Sequence, residues 1–488
     1  MHRTQFRFCA VMAAAVLASL TLATSSAHAQ FGGGGGGLGG GGGGGGAGGG
    51  IGGGGGGNGG AGIVIRAKGV LQRLSRDASG ALKRKHMKLA RRALGKEAKR
   101  WSPLRVVSLN RLEAAIAERR ADGKPATRMQ LLLGGLTKLQ YVFYLPETND
   151  LCIAGPAEAF YVDGEREVRG LMTDKPVLLL ADLVVALRAF APGKEAAAVV
   201  GCSIDPTREG LAKMQRYLTS ISRNPPRNGN LIASNLKRNL GLQTVTFKGI
   251  SPKTHFAYVM LSADYRMKLI GMGLEKPPVP ITSYVKVARS QESMVRWWFT
   301  PNYEVVRATD DGLAMELVGD GVKLVGEGEV VGLDGRRKAV GRMSRASKRF
   351  VDSFTRRYAA LAVKDPTYAH LRNLVDMTIA TAYMQNKNLY DKADWQMEMF
   401  GDESRFQVEV LETPKHVETA VRAVWKGNRL FTPVGGGVNI QPTLALQSHN
   451  LLEDADGKVH AKHKSIDLSK LDDLQWWWDA EGIHDVKN

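Results

Sequence analysis

Between Phe31 and Gly62 the chain holds 26 glycines in 32 residues, and no folded core can run through such a stretch. Glycine loses the most conformational entropy on ordering and brings no side chain to bury. The tract has neither the three-residue period nor the proline of collagen. It therefore reads as a disordered Gly-rich, low-complexity linker (30–62), with a root-mean-square span on the order of 30 Å. Whatever folds must lie in the 426 residues from Ile63 to Asn488.

The residues before the tract have the three parts of a secretion signal. Arg3 and Arg7 form the positive end, Phe8 to Ala23 is apolar and uncharged, and Ala27-His28-Ala29 places small residues where signal peptidase cuts. Residues 1–29 are expected to be a signal peptide, and the mature protein to be exported to the periplasm, the cell surface or the medium. The apolar run is shorter than the roughly 20 residues of a membrane span. Cys9 lies inside it rather than at the cut, which argues against lipidation. The best later candidate, Val177 to Phe190, carries Asp182 and Arg188, so no transmembrane segment is expected after cleavage.

Charge is concentrated rather than spread. Residues 63–120 carry 17 lysines and arginines against four acids, a surplus of 13 within a chain total of +20. The periodicity predicts a helix over Leu82–Trp101, with Leu82, His86, Leu89, Ala93 and Trp101 near one face. Arg84, Lys88, Arg91, Arg92, Lys96 and Lys99 cover the rest of it. Closely spaced cations hold anionic polymers by releasing counterions, or lie on anionic lipid. The plainer reading is a solvated helix face. Export removes nucleic acid from the partners, leaving an anionic envelope polymer or a lipid surface; no protein partner is indicated.

Local signals divide the folded part into a basic N-terminal α/β domain (63–222), a second α+β domain (231–446) and a tail (447–488) with a tryptophan cluster. In the first, Ser108 caps a helix to about Arg120, and Pro146 to Asn149 turns a hairpin between 139–144 and 150–154. A second hairpin turns at Asp163-Gly164, Asp182 caps a helix to Phe190, and 196–204 is a strand. Asp205-Pro206 reads as a further helix start. Pro225-Pro226 and Asn228-Gly229 mark the boundary. In the second, 243–250 is a strand and 255–271 an apolar helix or strand. Three Asp-Gly pairs punctuate a β-meander over 293–335, and a helical segment fills 344–400 with a start at Asp365-Pro366. Strands return at 406–411 and 443–446, with a helix between. The fold class expected is α+β, two mixed α/β units after the linker.

Chemical motifs fail on inspection. Gly193-Lys194 is followed by Glu195 rather than a hydroxyl residue, and Gly326-Glu-Gly328 lacks the third glycine of a dinucleotide loop, so no cofactor is expected. Asp454-Ala-Asp456-Gly457 has two calcium-loop acids with the glycine misplaced, and reads as a turn. His416, His460 and His463 have no metal spacing, and no metal is expected. Cys202, His255 and Asp264 can be written as a triad with nothing local to support it. Glu327/Glu329 and Asp472/Asp473 read as solvated charge. Cys152 and Cys202 sit in apolar, strand-like runs. A disulfide between them would close about 50 residues, worth roughly 4 kcal/mol in the chain-entropy treatment, and two buried free thiols fit equally well. Trp297-Trp298-Phe299 and Trp476-Trp477-Trp478 read as sugar or protein contacts, or as core, the second run pinning the tail.

Four phrases carry a family likeness: Leu139-Gln-Tyr-Val-Phe-Tyr-Leu-Pro-Glu-Thr148, Ile153-Ala-Gly-Pro-Ala-Glu158, Cys202-Ser-Ile-Asp-Pro-Thr207 and Ala263-Asp-Tyr-Arg-Met-Lys-Leu-Ile-Gly271. In them the chain resembles exported planctomycete proteins catalogued only as a domain of unknown function, from about Ile63 to about Leu446. The resemblance implies export and brings no activity or catalytic residue. Its phrases suggest Glu158, Asp205, Asp264 and Lys268 for a polar site, where the plainer reading of each is a cap, a turn or an ion pair. The leading expectation is a non-enzymatic envelope protein that binds or scaffolds through the basic N-terminal domain. The rival is an envelope hydrolase with its site between the two domains, which needs Glu158, Asp264 and Lys268 to converge in a deep pocket.

Overall fold

The computed structural model describes residues 63–65, 71–73, 81–93, 101–163, 167–224, 226, 228–288, 294–319, 321–341, 343–422, 434–466 and 475–480. The signal peptide, the glycine linker, Lys96, Lys99 and Asp472-Asp473 lie outside these residues, as does the side chain of Arg91. Asn58–Asn488 is one compact unit.

The elements follow in chain order. A hairpin of β1 (Ile63–Ile65) and β2 (Leu71–Arg73) precedes helix α1 (Ala81–Ala93). Next come β3 (Ser102–Ser108), α2 (Leu109–Ala121), α3 (Arg128–Leu131), β4 (Tyr141–Leu145) and β5 (Asp150–Ala157). The hairpin of β6 (Phe160–Val162) and β7 (Val168–Gly170) leads to α4 (Leu180–Ala189) and β8 (Val200–Pro206). Then follow α5 (Arg208–Ile221), α6 (Gly229–Leu240), β9 (Leu242–Lys248), α7 (His255–Gly271) and α8 (Tyr284–Val287). Strands β10 (Met294–Pro301), β11 (Val306–Ala308), β12 (Ala314–Leu317), β13 (Val322–Val331) and β14 (Arg337–Ala339) come before α9 (Arg345–Lys364), α10 (Pro366–Asn386) and α11 (Leu389–Lys392). Last are β15 (His416–Glu418), β16 (Val434–Ile440), α12 (Pro442–Ala445), β17 (Leu452–Glu453), α13 (Lys458–Lys464) and β18 (Trp477–Asp479).

Two seven-stranded sheets carry the α+β fold, ordered β14-β13-β10-β16-β8-β9-β15 and β17-β11-β12-β4-β5-β3-β18. Both take strands from either side of residues 223–230. β8 hydrogen-bonds to β9 and β16, and β4 to β12, so the expected division at that point is only the link between α5 and α6. The expected meander over 293–335 is likewise split between sheets. The chain leaves the first sheet after Pro301, builds β11 and β12 in the second, and returns through Gly319 and Gly321 at φ +77° and +71°.

Between the sheets lie α4, α7, α9 and α10. Their side chains share one core with Val107, Val142 and Ile153 of the second sheet and Val295, Trp297 and Phe299 of the first. Fifteen of the 17 residues of α7 and 17 of the 21 of α10 are buried, the pattern of a helix enclosed on nearly all sides. The second sheet is closed on its other face by α13 and by the tail. Trp477 and Trp478 pair with Val107 and Val106 across β3, while Arg105 stacks on Trp477 at 4.1 Å and pairs with Asp479 at 2.8 Å. The terminal tryptophans thus pin the tail.

Some local signals hold. Ser108 caps α2 by accepting from Arg111 N, and Asp365 caps α10 ahead of Pro366. Others are overridden. Residues 406–411 form no strand, and 442–445 is a turn of helix after β16. α4 starts at Leu180, which leaves Asp182 buried in the first turn, where it takes the Nδ1 of His255 at 2.9 Å. Nearby, His370 Nε2 meets Glu167 at 2.8 Å, and the two imidazoles lie edge to face, 5.5 Å apart. These pairs tie α7 to α4, and α10 to the start of β7. Cys152 on β5 and Cys202 on β8 belong to different sheets and are both buried free thiols, so the disulfide left open by the sequence is not formed.

Two expectations follow. Burial opposes charge on His255, but Asp182 and Glu167 outweigh it and hold its pKa above the ordinary 6.5. Protonated His255 therefore stabilises the fold fully below pH 6.5, and this is lost as pH rises through the raised value. In urea denaturation, the stability gap between the wild-type protein and His255→Gln should narrow as pH rises above 6.5. Cys152 and Cys202 should also resist alkylation in the folded protein and both react after denaturation without reductant.

Candidate functional site

Strand β16 reads Val-Gly-Gly-Gly-Val-Asn-Ile and lies between β10, its parallel neighbour, and β8, its antiparallel one. Glycine usually weakens a strand, and here it is a steric requirement. A Cβ on Gly436 would come within 1.8 Å of Trp297 O, and one on Gly437 within 2.1 Å of Cys202 O. On the helix side the space beneath Gly436 is taken by Lys268 of α7, whose Cε lies 3.1 Å from where that Cβ would stand.

Lys268 and Asp264 are both fully buried, one helical turn apart. Lys268 Nζ donates to Asp264 Oδ2 at 2.8 Å and to Ile204 O at 3.2 Å, while Asp264 Oδ1 has no hydrogen-bond partner among the described residues. Burial pushes the Asp264 carboxyl up to about 6 against the pull of Lys268. Cys202 lies near this pair, and burial raises its thiol pKa, with Asp264 adding to the effect. A thiol so held stays protonated and is a poor nucleophile. Since His255 is committed to Asp182, no triad of Cys202, His255 and Asp264 is assembled.

Asp205 stands on the opposite face of the sheet, because successive strand residues alternate sides and Ile204 faces α7. The expected helix start at Asp205-Pro206 is corrected: both residues end β8, and Thr207 caps α5 by accepting from Gly210 N. The Asp205 carboxylate goes instead to Arg337 at 2.7 Å and Arg296 at 3.4 Å, with Glu329 3.7 and 3.9 Å from the same guanidiniums. Burial works against the Asp205 charge, yet Arg296 and Arg337 hold its pKa below the usual carboxylate range. Glu329 is more enclosed, and burial lifts its pKa despite the same two arginines.

Three of the four expected polar residues therefore meet around β8 and β16, divided by the sheet into a sealed pair and a partly exposed network. Glu158 is elsewhere. It caps the turn after β7, accepting from Met172 N at 2.5 Å, Thr173 N at 3.0 Å and the Thr173 hydroxyl. The convergence of Glu158 with Asp264 and Lys268 required by the hydrolase reading does not occur. Sequence reasoning missed Arg296 and Arg337, and took Glu329 for solvated loop charge although it and Glu327 lie on β13. Arg296 was visible as a cation inside the apolar run of β10. Its partner was not, since it is 91 residues away. Among the described residues no group of three or more histidines, cysteines or acids could hold a metal.

Of the basic set, Arg84, Lys88 and Arg92 project from α1 into solvent. The other side of the helix docks on the β6–β7 hairpin, where His86 Nδ1 meets Val162 O at 3.0 Å and Met87 and Ala90 pack near Tyr161 and Leu171. Residues 202–284 match a protein family of unknown function, DUF1598. The matched segment runs from β8 into α8, and contains Asp205, Asp264 and Lys268. It is shorter than the resemblance expected over 63–446. No curated protein and no solved structure matches the chain.

The sealed pair gives a direct test. Removing one partner of a buried pair strands the other charge and costs about 3–5 kcal/mol, whereas replacing both by apolar groups is often close to neutral. Lys268→Met should lose about that much stability, and Lys268→Met with Asp264→Leu should recover most of it, as read from urea denaturation midpoints.

Proposed function

We propose that this chain is an exported, non-enzymatic binding protein of the bacterial cell envelope, held to an anionic polymer or lipid surface by α1. The observation that carries this reading is the two-sidedness of that helix. Its sequence, Ala-Leu-Lys-Arg-Lys-His-Met-Lys-Leu-Ala-Arg-Arg-Ala, has six cations and no acid. One side is spent on docking to the β6–β7 hairpin, while Arg84, Lys85, Lys88 and Arg92 remain exposed. A cationic face without internal acids has the chemistry to meet a polyanion. The secretion-like leader supports the compartment, and no helix of the described residues is long and apolar enough to cross a membrane, which suits peripheral attachment.

At about 1 kcal/mol for each cation near an anionic surface, neutralising Arg84, Lys88 and Arg92 should weaken attachment roughly a hundredfold. Co-sedimentation of the mature chain from Gln30 with phosphatidylglycerol vesicles at low salt should be strong for the wild-type protein. It should be largely lost in the triple glutamine variant and in high salt, where screening shortens the reach of surface charge. Equal pelleting of both proteins, or pelleting with neutral phosphatidylcholine vesicles, would overturn the proposal.

A further inference from the structure

On its face turned away from α7, the first sheet holds an open groove of about 360 Å³ over β8, β9, β10, β13 and β16. Strand register explains its shape, because directly paired residues share a face. Trp298 pairs with Gly437, Gly437 with Ser203, and Ser203 with Thr246. One step along β16, Asn439 pairs with Gly201 and Gly201 with Lys248. One step the other way, Glu327 pairs with Arg296 and Arg296 with Gly435. The three glycines stand inside these rows and leave a trough of bare backbone. Trp298 and Arg296 form one bank; Ser203, Thr246 and Lys248 form the other. Helices α5 and α6 cover the neighbouring part of this face, where Met294 and Val331 pack with Leu211, Met214 and Leu236.

Of the polar groups around the trough, Ser203 and Thr246 hydrogen-bond to each other at 2.7 Å and Arg296 is held by Asp205, while five others are unspent. Trp297, on the helix side, donates its indole N–H to Ser347 Oγ at 2.7 Å. Trp298 is half-buried on the groove side, and its indole N–H has no partner among the described residues. The same holds for the amides of Asn439 and Gln441, and neither Glu327 nor Lys248 makes a hydrogen bond or ion pair there. By contrast, the buried indole of Trp395 donates to Glu113. Five unspent groups around one cavity mark a surface shaped for something outside the chain.

We propose that this groove binds a pyranose unit of a saccharide, its C–H face against the Trp298 indole. The chemistry of the lining selects that class. Glu327 only accepts, Lys248 and the indole N–H only donate, and the two amides do both. A hydroxyl donates and accepts, so a polyhydroxylated ring satisfies all of them together. A flat apolar ring would leave the polar groups desolvated and unmet, at a cost for each. An anion would face Glu327 as well as Lys248. The volume is near the lower end of the roughly 300–1,000 Å³ of ligand pockets, which suits one ring of an oligosaccharide with its neighbours outside.

The test is isothermal titration calorimetry of the full chain with cellotetraose, mannotetraose and chitotetraose. At least one should bind the wild-type protein. Trp298→Ala should weaken that binding about tenfold or more, and Asn439→Ala, a milder change, should weaken it severalfold, with circular dichroism of both variants matching the wild type. The vesicle-binding variant with Arg84, Lys88 and Arg92 neutralised should bind the sugar normally, which separates this site from α1. No binding of any tetrasaccharide, or undiminished binding by well-folded Trp298→Ala and Asn439→Ala proteins, would overturn the assignment.

Discussion

Burying α7 between two sheets puts Asp264, Arg266 and Lys268 out of reach of water, and each must find its countercharge inside the protein. Asp264 and Lys268, four residues apart, answer each other on the side facing β8 and β16. Arg266 points away from them and is held by both oxygens of Asp365 at 2.7 and 2.5 Å, and by Glu275 at 2.6 Å. Asp365 is also the cap of α10, so the countercharge of one buried helix fixes the start of the next. An unpaired charge at this depth would cost several kcal/mol. The packing of α7, the first sheet and the start of α10 is thus specified together.

The glycine run of β16 serves both faces of the first sheet. Beneath it, the missing side chain at Gly436 makes room for the Lys268 stem. Above it, Gly435 and Gly437 keep the trough open, and a Cβ on Gly435 would lie 3.4 Å from the Asp205 carboxylate. Side chains at those positions would fill the groove, and a Cβ at Gly437 would press on β8 as one at Gly436 would on β10. The sealed ion pair and the open groove therefore depend on the same few glycines.

How much was legible in the sequence varied with the range of the interaction. Asp365-Pro366 and Asp205-Pro206 are the same local signal, and only the first starts a helix. Both carboxylates meet arginines, but Asp365 also keeps its bond to Thr367 N. Asp205 is drawn to Arg337, 132 residues away, and the cap passes to Thr207. Strand β16 was missed because a glycine run scores against any strand, and its fit shows only once β8 and β10 flank it. The apparent boundary near 223–230 was real as a turn and wrong as a division, since Pro and Gly report local backbone and not which strands pair across it.

The sequence by itself determined the features that rest on neighbouring residues: the glycine tract, the α+β class, the caps at Ser108 and Asp365, the β4–β5 and β6–β7 hairpins, and the cationic side of α1. Tertiary structure alone decided the single shared core, the two free cysteines in separate sheets, the meeting of Asp205 with Arg296 and Arg337, and the groove beside Trp298. The physical reason is that capping and alternation act over a few residues, whereas sheet register joins residues far apart in the chain. Only that register shows which side chains share a face.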